Sequence, residues 1–393
     1  MNIAFDLQAL QSVNNIGGIG NYNLDFLRTL FVNYKDNKYI LIFNSNSSTQ
    51  FIEKIDKSRN SHMFGVPYLP GNDMNDRNIW VNYLYLRSIS SDIFHILSPF
   101  EDQKNTVIHT NNILGKLVVT IYDFIPYIFK DYYLTSEEKR HRYLERLEIV
   151  RSADLIFSIS EATRNDAIRL FNIPSKKIIN IGIAPSDNYY KYPTSKTHHI
   201  NKIRQKFSIS GNFILTVSNL DHRKNLLSLL KAYTSLPKQL LSQYSLVIVT
   251  NSTPKSVREN VDISNYLNSI SNHNIIMLYS ITDEELCSLY NICDLFVYAS
   301  LYEGGGLPVI EAMKCGAPVV ASNSSSIPEL VGRSDNLFSP TNIDEIAETI
   351  EKVLSNKNYS NELRNFGIQF ANTITWEKVV GRAINGYMAL VSN

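Results

Sequence analysis

Short runs of β-branched and aromatic residues alternate with helical patterns along the 393 residues of the chain. This alternation predicts an α/β fold with parallel sheets, and a chain of this length is expected to form two domains of ordinary size. The predicted strands of the first half are residues 3–7, 39–43, 92–97, 117–122, 155–160 and 177–183. Those of the second half are residues 213–218, 244–250, 274–280, 294–300 and 317–322. We therefore predict two Rossmann-like, doubly wound sheets in tandem, which bind ligands outside the carboxyl ends of their strands.

The alternation pauses at residues 186–199, SDNYYKYPTSKTHH, which are polar and aperiodic and which we interpret as a linker. The interpretation divides the chain into domains at residues 1–190 and 200–374, followed by a closing helical segment at residues 375–393.

Composition excludes several classes of protein. Hydrophobic residues make up 44% of the chain, charged residues 19%, and Lys+Arg number 38 against 37 Asp+Glu, so neither disorder nor a nucleic-acid partner is indicated. Asp6 interrupts the first apolar run, which predicts a strand rather than a signal peptide, and no apolar run is long enough to span a membrane. The chain has an odd number of cysteines without CxxC spacing, namely Cys287, Cys293 and Cys315. This favours reduced thiols and a cytoplasmic location.

The segment EGGGLPVIE, residues 303–311, follows a predicted strand and contains two carboxylates eight positions apart. Pro308 suits the first turn of a helix, so the three glycines before it form the turn that leads into that helix. A turn without Cβ atoms lets a ligand approach the backbone, and the helix N-terminus attracts anionic oxygens. Glu303 and Glu311 flank this turn and can accept hydrogen bonds from sugar hydroxyls, so we predict a site for a nucleoside diphosphate sugar. Alternatively, Glu311 complements the helix dipole and Glu303 is a solvated loop acid.

This segment resembles the donor-binding motif of glycosyltransferase family 4, through "EGGGLPVIEAM" followed by "CGAPVVAS" and "IPEL". Members of that family are retaining enzymes of the GT-B fold with an E-x7-E motif. The resemblance extends to "RKNLLSLLKAY" at residues 223–233, to the amino-terminal "FDLQALQS" and "GGIGNYNLDFL", and to Trp376. It implies that Glu303 contacts the transferred sugar, that Glu311 contacts the ribose, and that the diphosphate contacts the backbone amides of Gly304, Gly305, Gly306 and Leu307.

The same resemblance implies roles for the domains. Residues 1–190 would bind the acceptor, residues 200–374 the nucleotide-sugar donor, and the helix of residues 375–393 would pack back on the first domain. The implied reaction moves a hexosyl unit, with retention of configuration, to a glycan or lipid-linked oligosaccharide in bacterial polysaccharide or lipopolysaccharide synthesis. The elements "FDLQALQS", "GIGNY" and "YDFIP" look most like those of bacterial polysaccharide mannosyltransferases, which makes GDP-mannose the first choice of donor.

No Asp-x-Asp pair occurs in the sequence, so we predict a metal-independent enzyme without a cofactor beyond the donor. Arg223 and Lys224 follow the first strand of the second half and precede a helical pattern, where an anionic ligand would explain two cations beside a helix N-terminus. We predict that they stabilise charge on the departing diphosphate, although they could also be surface residues of a turn. The sequence departs from the family at Ser218 and Asn219, where relatives often carry a further basic residue.

In the first half, the glycine-containing turn GGIGNYN at residues 17–23 opens a helical pattern. In similar enzymes this loop lies near the diphosphate, so Gly18 is a predicted donor contact, with a simple tight turn as the alternative. "TIYDFIP" ends a strand where many relatives have a His; here Tyr122 and Asp123 take its place as predicted site residues. A strand-end Asp is also a common turn former.

Four further polar residues follow or belong to strands of the first half. Ser98 and Glu101 could line the acceptor side, whereas His95 and His109 show no partner pattern and are predicted to be structural. Helix 136–153 interleaves its cations with glutamates, which is more typical of a solvated face than of a lipid-binding one; peripheral membrane contact and oligomeric state stay open.

Two other functions remain compatible with the sequence. A sugar-nucleotide epimerase of the same architecture would change a nucleotide sugar without an acceptor. A noncatalytic partner subunit would have the fold without activity, and would usually have lost a donor-binding residue.

Overall fold

The computed structural model describes residues 1–11, 17–45, 55, 61–66, 87, 89–100, 113–193, 197–270 and 274–392. These residues form two compact units, one of residues 1–184 with 375–393 and one of residues 185–374, which we call unit 1 and unit 2. The acceptor-binding and donor-binding roles of the two domains stay predictions.

The strands are β1 (Asn2–Asp6), β2 (Lys38–Asn44), β3 (Ser61–Val66), β4 (Ile93–Ile96), β5 (Lys116–Ile121), β6 (Leu155–Ser158), β7 (Ile178–Asn180), β8 (Asn212–Val217), β9 (Tyr244–Thr250), β10 (Ile275–Tyr279), β11 (Leu295–Tyr298), β12 (Val319–Ser322) and β13 (Leu337–Phe338).

The helices are α1 (Gly18–Asn33), α2 (Ile125–Ile128), α3 (Lys130–Tyr133), α4 (Glu137–Ser152), α5 (Glu161–Phe171), α6 (Thr197–Lys206), α7 (Leu226–Thr234), α8 (Lys238–Gln243), α9 (Pro254–Glu259), α10 (Val261–Ser269), α11 (Asp283–Ile292), α12 (Leu307–Lys314), α13 (Ile327–Val331), α14 (Ile343–Ser355), α15 (Lys357–Ala371) and α16 (Trp376–Val391). Short 3-10 turns lie at Gln8–Gln11, Ser175–Lys177 and His222–Lys224.

Unit 1 contains a sheet of seven strands in the order β3-β2-β1-β4-β5-β6-β7, with every described pair parallel. Strands β4 and β6 are buried along their whole length, as expected where helices cover both faces of a parallel sheet. The C-terminal helix α16 belongs to this unit: the hydroxyl of Tyr387 forms a hydrogen bond of 2.6 Å with Nδ1 of His95, and the rings of Trp376 and Tyr22 meet edge to face at 4.9 Å.

Unit 2 contains a sheet of six parallel strands in the order β10-β9-β8-β11-β12-β13. The strand order reverses between β8 and β11, and the strand ends at such a reversal are where doubly wound sheets bind ligands. Amphipathic helices pack against the sheet; Ile346, Ile350 and Val353, spaced four and three residues apart on α14, are at most 1% exposed.

The predicted α/β class with two doubly wound parallel sheets is confirmed, and each of the eleven predicted strands overlaps an observed one. Strands β3 and β13, which are edge strands of their sheets, were not predicted from the sequence. β3 is half exposed and contains Ser61, His62 and Gly65, and β13 is two residues long. Neither has the continuous apolar run by which the buried strands were found.

The predicted linker packs against unit 2 over the residues that the structure describes there. Tyr189 and Tyr192 are buried, and the backbone N–H of Tyr192 donates to Oδ1 of Asn291 at 2.7 Å. The tyrosine rings supply apolar surface for burial, although the composition of residues 186–199 as a whole is polar.

None of the described helices is long and apolar enough to cross a membrane. The three cysteines are buried free thiols, with the sulfurs of Cys287 and Cys315 3.7 Å apart.

Candidate functional site

The candidate site lies in unit 2 at the reversal of strand order. The loop after β8 carries the 3-10 turn His222–Lys224, and the loop after β11 carries residues 299–306. The backbone N–H of Leu301 donates to the carbonyl of Arg223 at 2.7 Å, so the two loops are joined directly.

Local side chains hold the first loop in this conformation. Oδ1 of Asp221 accepts a hydrogen bond from the backbone N–H of Arg223 at 3.2 Å, and Oδ2 lies 3.4 Å from Nε of the same arginine. Asn225 adopts a left-handed backbone with φ of 56° and precedes α7, and its amide nitrogen donates to the carbonyls of Ala299 at 3.0 Å and Pro340 at 2.7 Å. The two basic residues are therefore fixed relative to the end of β11.

Four side chains meet at this point, and we call them the Glu303 cluster: Arg223, Lys224, Tyr298 and Glu303. Nη1 of Arg223 donates to Oε2 of Glu303 at 2.5 Å, and Nζ of Lys224 donates to Oε1 at 2.6 Å. Tyr298 accepts a hydrogen bond from Lys224 at 2.9 Å and donates one to Oε1 of Glu303, also at 2.9 Å. Charge-assisted hydrogen bonds of this kind are the stronger ones in proteins.

The electrostatics of the cluster follow from its burial and its charges. Burial alone raises the pKa of Glu303, but Lys224 and Arg223 outweigh it and bring that pKa down to about 2. For Lys224, burial lowers the pKa and the Glu303 carboxylate raises it, with a net rise. Burial and the same carboxylate raise the pKa of Tyr298 to about 12. At neutral pH the cluster thus holds one carboxylate against two cations and a neutral hydroxyl.

The glycine turn leads into α12 as predicted. Gly306 has φ of 103° and precedes the first residue of the helix, and a Cβ at this position would lie 3.3 Å from Cδ1 of Leu330. Oγ of Ser326 donates to the carbonyls of Glu303 at 2.9 Å and Gly305 at 2.7 Å, while Oγ of Ser325 accepts from the N–H of Glu303 at 2.8 Å. One hydroxyl, that of Ser326, therefore lies within hydrogen-bonding distance of two carbonyls of the turn. The turn leads into the N-terminus of α12, whose positive end of the helix dipole favours an anion.

Glu311 lies one turn into α12 and is 9% exposed. The hydroxyl of Tyr290, itself fully buried, donates to Oε2 of Glu311 at 3.4 Å. Each of the two motif glutamates is thus contacted by the hydroxyl of a buried tyrosine.

The structure brings the predicted unit 2 residues together. Arg223 and Lys224 contact Glu303 directly, and the segment of Gly304, Gly305, Gly306 and Leu307 continues from Glu303 into the helix that carries Glu311. Three further residues of the site were not predicted from the sequence: Tyr298, Ser325 and Ser326. For Tyr298 a signal existed, since it is a polar side chain in the last position of a buried strand.

The predicted residues of unit 1 lie at the ends of other elements. Gly18 is the exposed first residue of α1. Tyr122 follows β5 and donates a hydrogen bond to Oδ1 of Asn23. Oδ1 of Asp123 accepts from the backbone N–H of Ile125 at 2.9 Å, which is the geometry of the turn-forming alternative. Donor contacts by Gly18, Tyr122 and Asp123 stay predictions.

His95 is fully buried between Oγ1 of Thr120 at 2.8 Å and the hydroxyl of Tyr387 at 2.6 Å. Burial lowers the pKa of His95 to about 3, so the ring is neutral and structural, as predicted. Ser98 lies just beyond β4 and is half-buried; Glu101 and His109 lie outside the described residues.

Among the residues that the structure describes, no three His, Cys, Asp or Glu side chains are grouped so as to hold a metal ion. Metal independence and the absence of a cofactor stay predictions.

Comparison with known proteins links this site to a family. Residues 199–370 match the profile of the family Glycosyl transferases group 1. The serotype-specific mannosyltransferase WbdA of Escherichia coli is 27% identical over 100% of this chain, which spans 48% of that relative. The O-antigen chain mannosyltransferase B of Escherichia coli is 28% identical over 95% of this chain and 96% of its own length.

The solved structure of HepE from Anabaena in complex with UDP and glucose superimposes with a TM-score of 0.75 at 19% identity, covering 99% of this chain and 100% of HepE. At that identity the likeness concerns the fold. The predicted resemblance is confirmed: the chain has the GT-B fold, and residues 199–370, which carry the Glu303 cluster and the glycine turn, belong to the glycosyl transferases group 1 family.

Proposed function

We propose that this chain is a retaining glycosyltransferase that moves a mannosyl unit from GDP-mannose to a hydroxyl of a glycan or lipid-linked oligosaccharide in bacterial surface polysaccharide synthesis. The observation that carries the proposal is the pair of cations, Arg223 and Lys224, fixed beside a glycine turn at a helix N-terminus within a glycosyl transferases group 1 domain.

A diphosphate suits the charges of this site. Two cations face the single carboxylate of Glu303, and the N-terminus of α12 adds the positive end of a helix dipole. Asp221 offsets part of the charge of Arg223, at 3.4 Å from Nε, whereas Lys224 has Glu303 as its acidic partner. The side chains of Arg223 and Lys224 are 21% and 14% exposed, so an anion can reach them while they remain poorly hydrated. Phosphate oxygens between the cations and the helix would be bound by both.

The pKa of Glu303 restricts its chemical role. A carboxylate with a pKa of about 2 is a weak base near neutral pH, and proton transfer is most efficient when the pKa is near the working pH. Glu303 is thus better suited to accept hydrogen bonds from hydroxyls of the transferred sugar than to deprotonate the acceptor. In the proposed mechanism a phosphate oxygen takes the acceptor proton, and the acceptor attacks the face from which the diphosphate leaves.

Catalysis then consists of positioning and electrostatic stabilisation. Negative charge grows on the diphosphate as the glycosidic bond breaks, and Arg223, Lys224 and the amides of residues 304–307 would be arranged in advance to stabilise it. Glu311, one helical turn further on, would accept hydrogen bonds from the ribose diol.

The choice of a mannosyl donor comes from the named relatives. The O-antigen chain mannosyltransferase B matches this chain over nearly the full length of both proteins, and WbdA matches over the whole chain, although the chain spans about half of WbdA. The protein would act at the cytoplasmic side of the membrane, where nucleotide sugars are available, with peripheral membrane contact as part of the proposal.

Thermal stabilisation by nucleotide sugars tests the donor site. A true donor at a hundred times its dissociation constant adds about 2.7 kcal/mol to the free energy of unfolding, and we expect GDP-mannose to do so within a panel that includes UDP-glucose. Glu311→Ala and Lys224→Ala should each lose most of the stabilisation, whereas Lys352→Ala, which removes an exposed lysine of the same unit, should retain it. Unchanged stabilisation in both site variants would contradict the proposal.

Transfer of labelled mannose to an oligosaccharide acceptor tests the reaction. Conversion of the nucleotide sugar without an acceptor would instead support an epimerase. Absence of both turnover and donor binding would support a noncatalytic subunit.

A further inference from the structure

Tyr298 contacts several parts of the candidate phosphate site. Its hydroxyl lies 2.9 Å from Nζ of Lys224 and 2.9 Å from Oε1 of Glu303, and these two atoms are 2.6 Å from each other. The ring extends to the glycine turn, because a Cβ on Gly306 would lie 4.0 Å from Cε1 of Tyr298.

The tyrosine is itself anchored by its strand. It is 1% exposed, it occupies the last position of β11, and its ring stacks with that of Phe296 two residues earlier on the same strand, with centroids 6.1 Å apart. A ligand therefore cannot readily touch Tyr298, and any effect on a ligand must pass through the residues that the hydroxyl contacts.

We propose that Tyr298 is a positioning residue of this site, which holds the Lys224 ammonium in place for a diphosphate when Glu303 turns to the transferred sugar. The inference rests on the proposed function.

Charge balance explains why such a residue is needed. In the structure Glu303 engages both cations, with one carboxylate oxygen for Arg223 and the other for Lys224. An entering diphosphate competes with this carboxylate for the same cations, and sugar hydroxyls offer Glu303 new partners. As the carboxylate shifts, Lys224 loses its closest contact.

The Tyr298 hydroxyl remains as a neutral acceptor for Lys224 through this exchange. Burial and the nearby carboxylate raise the pKa of Tyr298 to about 12, so the hydroxyl stays protonated near neutral pH. It can accept from the ammonium with a lone pair while its own proton still points toward Glu303. Because the ring is packed against β11 and the glycine turn, the acceptor does not move with the ligand.

Tyr298→Phe removes this acceptor and keeps the ring, and Tyr233→Phe is a matched control. Tyr233 is also 1% exposed in unit 2, and its hydroxyl donates to the carbonyl of Tyr244 at 2.9 Å, in the core between α7 and β9. Both variants lose one buried hydroxyl, but only Tyr298→Phe affects Lys224.

Isothermal titration with GDP and with GMP separates positioning from a purely structural role. A hydrogen bond to a charged group contributes on the order of tenfold in affinity, so Tyr298→Phe should weaken GDP binding about tenfold. GMP lacks the second phosphate, and its affinity should change less than about twofold. In transfer assays the variant should raise KM for the donor and lower kcat, because Lys224 also stabilises the leaving diphosphate.

Three results would overturn the inference. Tyr298→Phe could bind GDP as tightly as the wild type, it could lose GDP and GMP affinity equally, or Tyr233→Phe could show the same selective loss. Each of these leaves the proposed function standing if wild-type protein binds GDP. If wild-type protein binds neither GDP nor UDP, the proposed function fails, and the inference fails with it.

Discussion

Replacement of Glu303 by glutamine should reveal how strongly the Glu303 cluster stabilises unit 2. The amide of the Glu303→Gln variant has the shape of a protonated carboxyl group, and it leaves Lys224 without its acidic partner. The pKa of Glu303 falls from its ordinary value of 4.5 to about 2 in the folded protein. Since a difference of one in a pKa corresponds to about 1.4 kcal/mol, the ionised side chain contributes about 3 kcal/mol to the free energy of unfolding at pH 7.

The sign of the pH dependence follows from the lowered pKa. The stabilisation is complete above the unfolded pKa of 4.5 and is lost as the pH falls toward the folded pKa of about 2. The difference in stability between wild-type protein and Glu303→Gln should therefore shrink from about 3 kcal/mol at pH 7 to about 1 kcal/mol at pH 3.

Urea denaturation followed by circular dichroism at several pH values measures this difference, and hydrogen exchange of peptides from β8 and β11 assigns the transition to unit 2. Glu362→Gln serves as the matched control. It removes an ion pair of 2.8 Å with Arg333 in the same unit, but the Glu362 side chain is 61% exposed, so less than about 1 kcal/mol should be lost. If Glu303→Gln costs no more than this control, or if its effect does not diminish in acid, the reasoning about the cluster is wrong.

Three further predictions concern ligand binding and the glycine turn. Glu303→Gln should bind GDP about tenfold more tightly by calorimetry while losing transfer activity. The reason is that the Glu303 carboxylate and a phosphate that share the Lys224 ammonium lie roughly 5 Å apart and repel by up to about 3 kcal/mol. Equal or weaker GDP binding would refute this. Gly306→Ala should lower the free energy of unfolding by about 1–3 kcal/mol in urea titrations and reduce GDP affinity. The backbone φ of Gly306 is 103°, and the new Cβ would lie 3.3 Å from Cδ1 of Leu330. Unchanged stability would show that the turn tolerates a side chain. Tyr290→Phe should weaken GDP binding only about two- to threefold by calorimetry, because the hydrogen bond from Tyr290 to Glu311 is long at 3.4 Å. A loss of tenfold or more would contradict this minor role.

The sequence predicts the sheets well because their central strands are buried. Runs such as residues 244–250 and 294–300 are apolar on both faces and could be recognised without knowledge of their neighbours. Edge strands β3 and β13 could not, since half-exposed or two-residue strands depend on pairing with a neighbour rather than on their own composition.

The site was predicted residue by residue but not as one cluster. The E-x7-E spacing indicates binding of sugar and diphosphate, and the basic pair indicates binding of diphosphate, so Glu303 and Lys224 were predicted to contact different parts of one donor. Their direct contact arises because β8 and β11 are neighbours in the sheet, although β9 and β10 lie between them in the chain. Such a pairing is a property of the whole topology, and the role of Tyr298 depends on it.

A crystal structure with GDP-mannose bound measures the central claim most directly. We expect its two phosphates within hydrogen-bonding distance of Arg223, Lys224 and the backbone amides of residues 304–307, with the mannose hydroxyls on Glu303 and the ribose on Glu311. Phosphates bound to other residues, with the Glu303 cluster unchanged from its present geometry, would contradict the account.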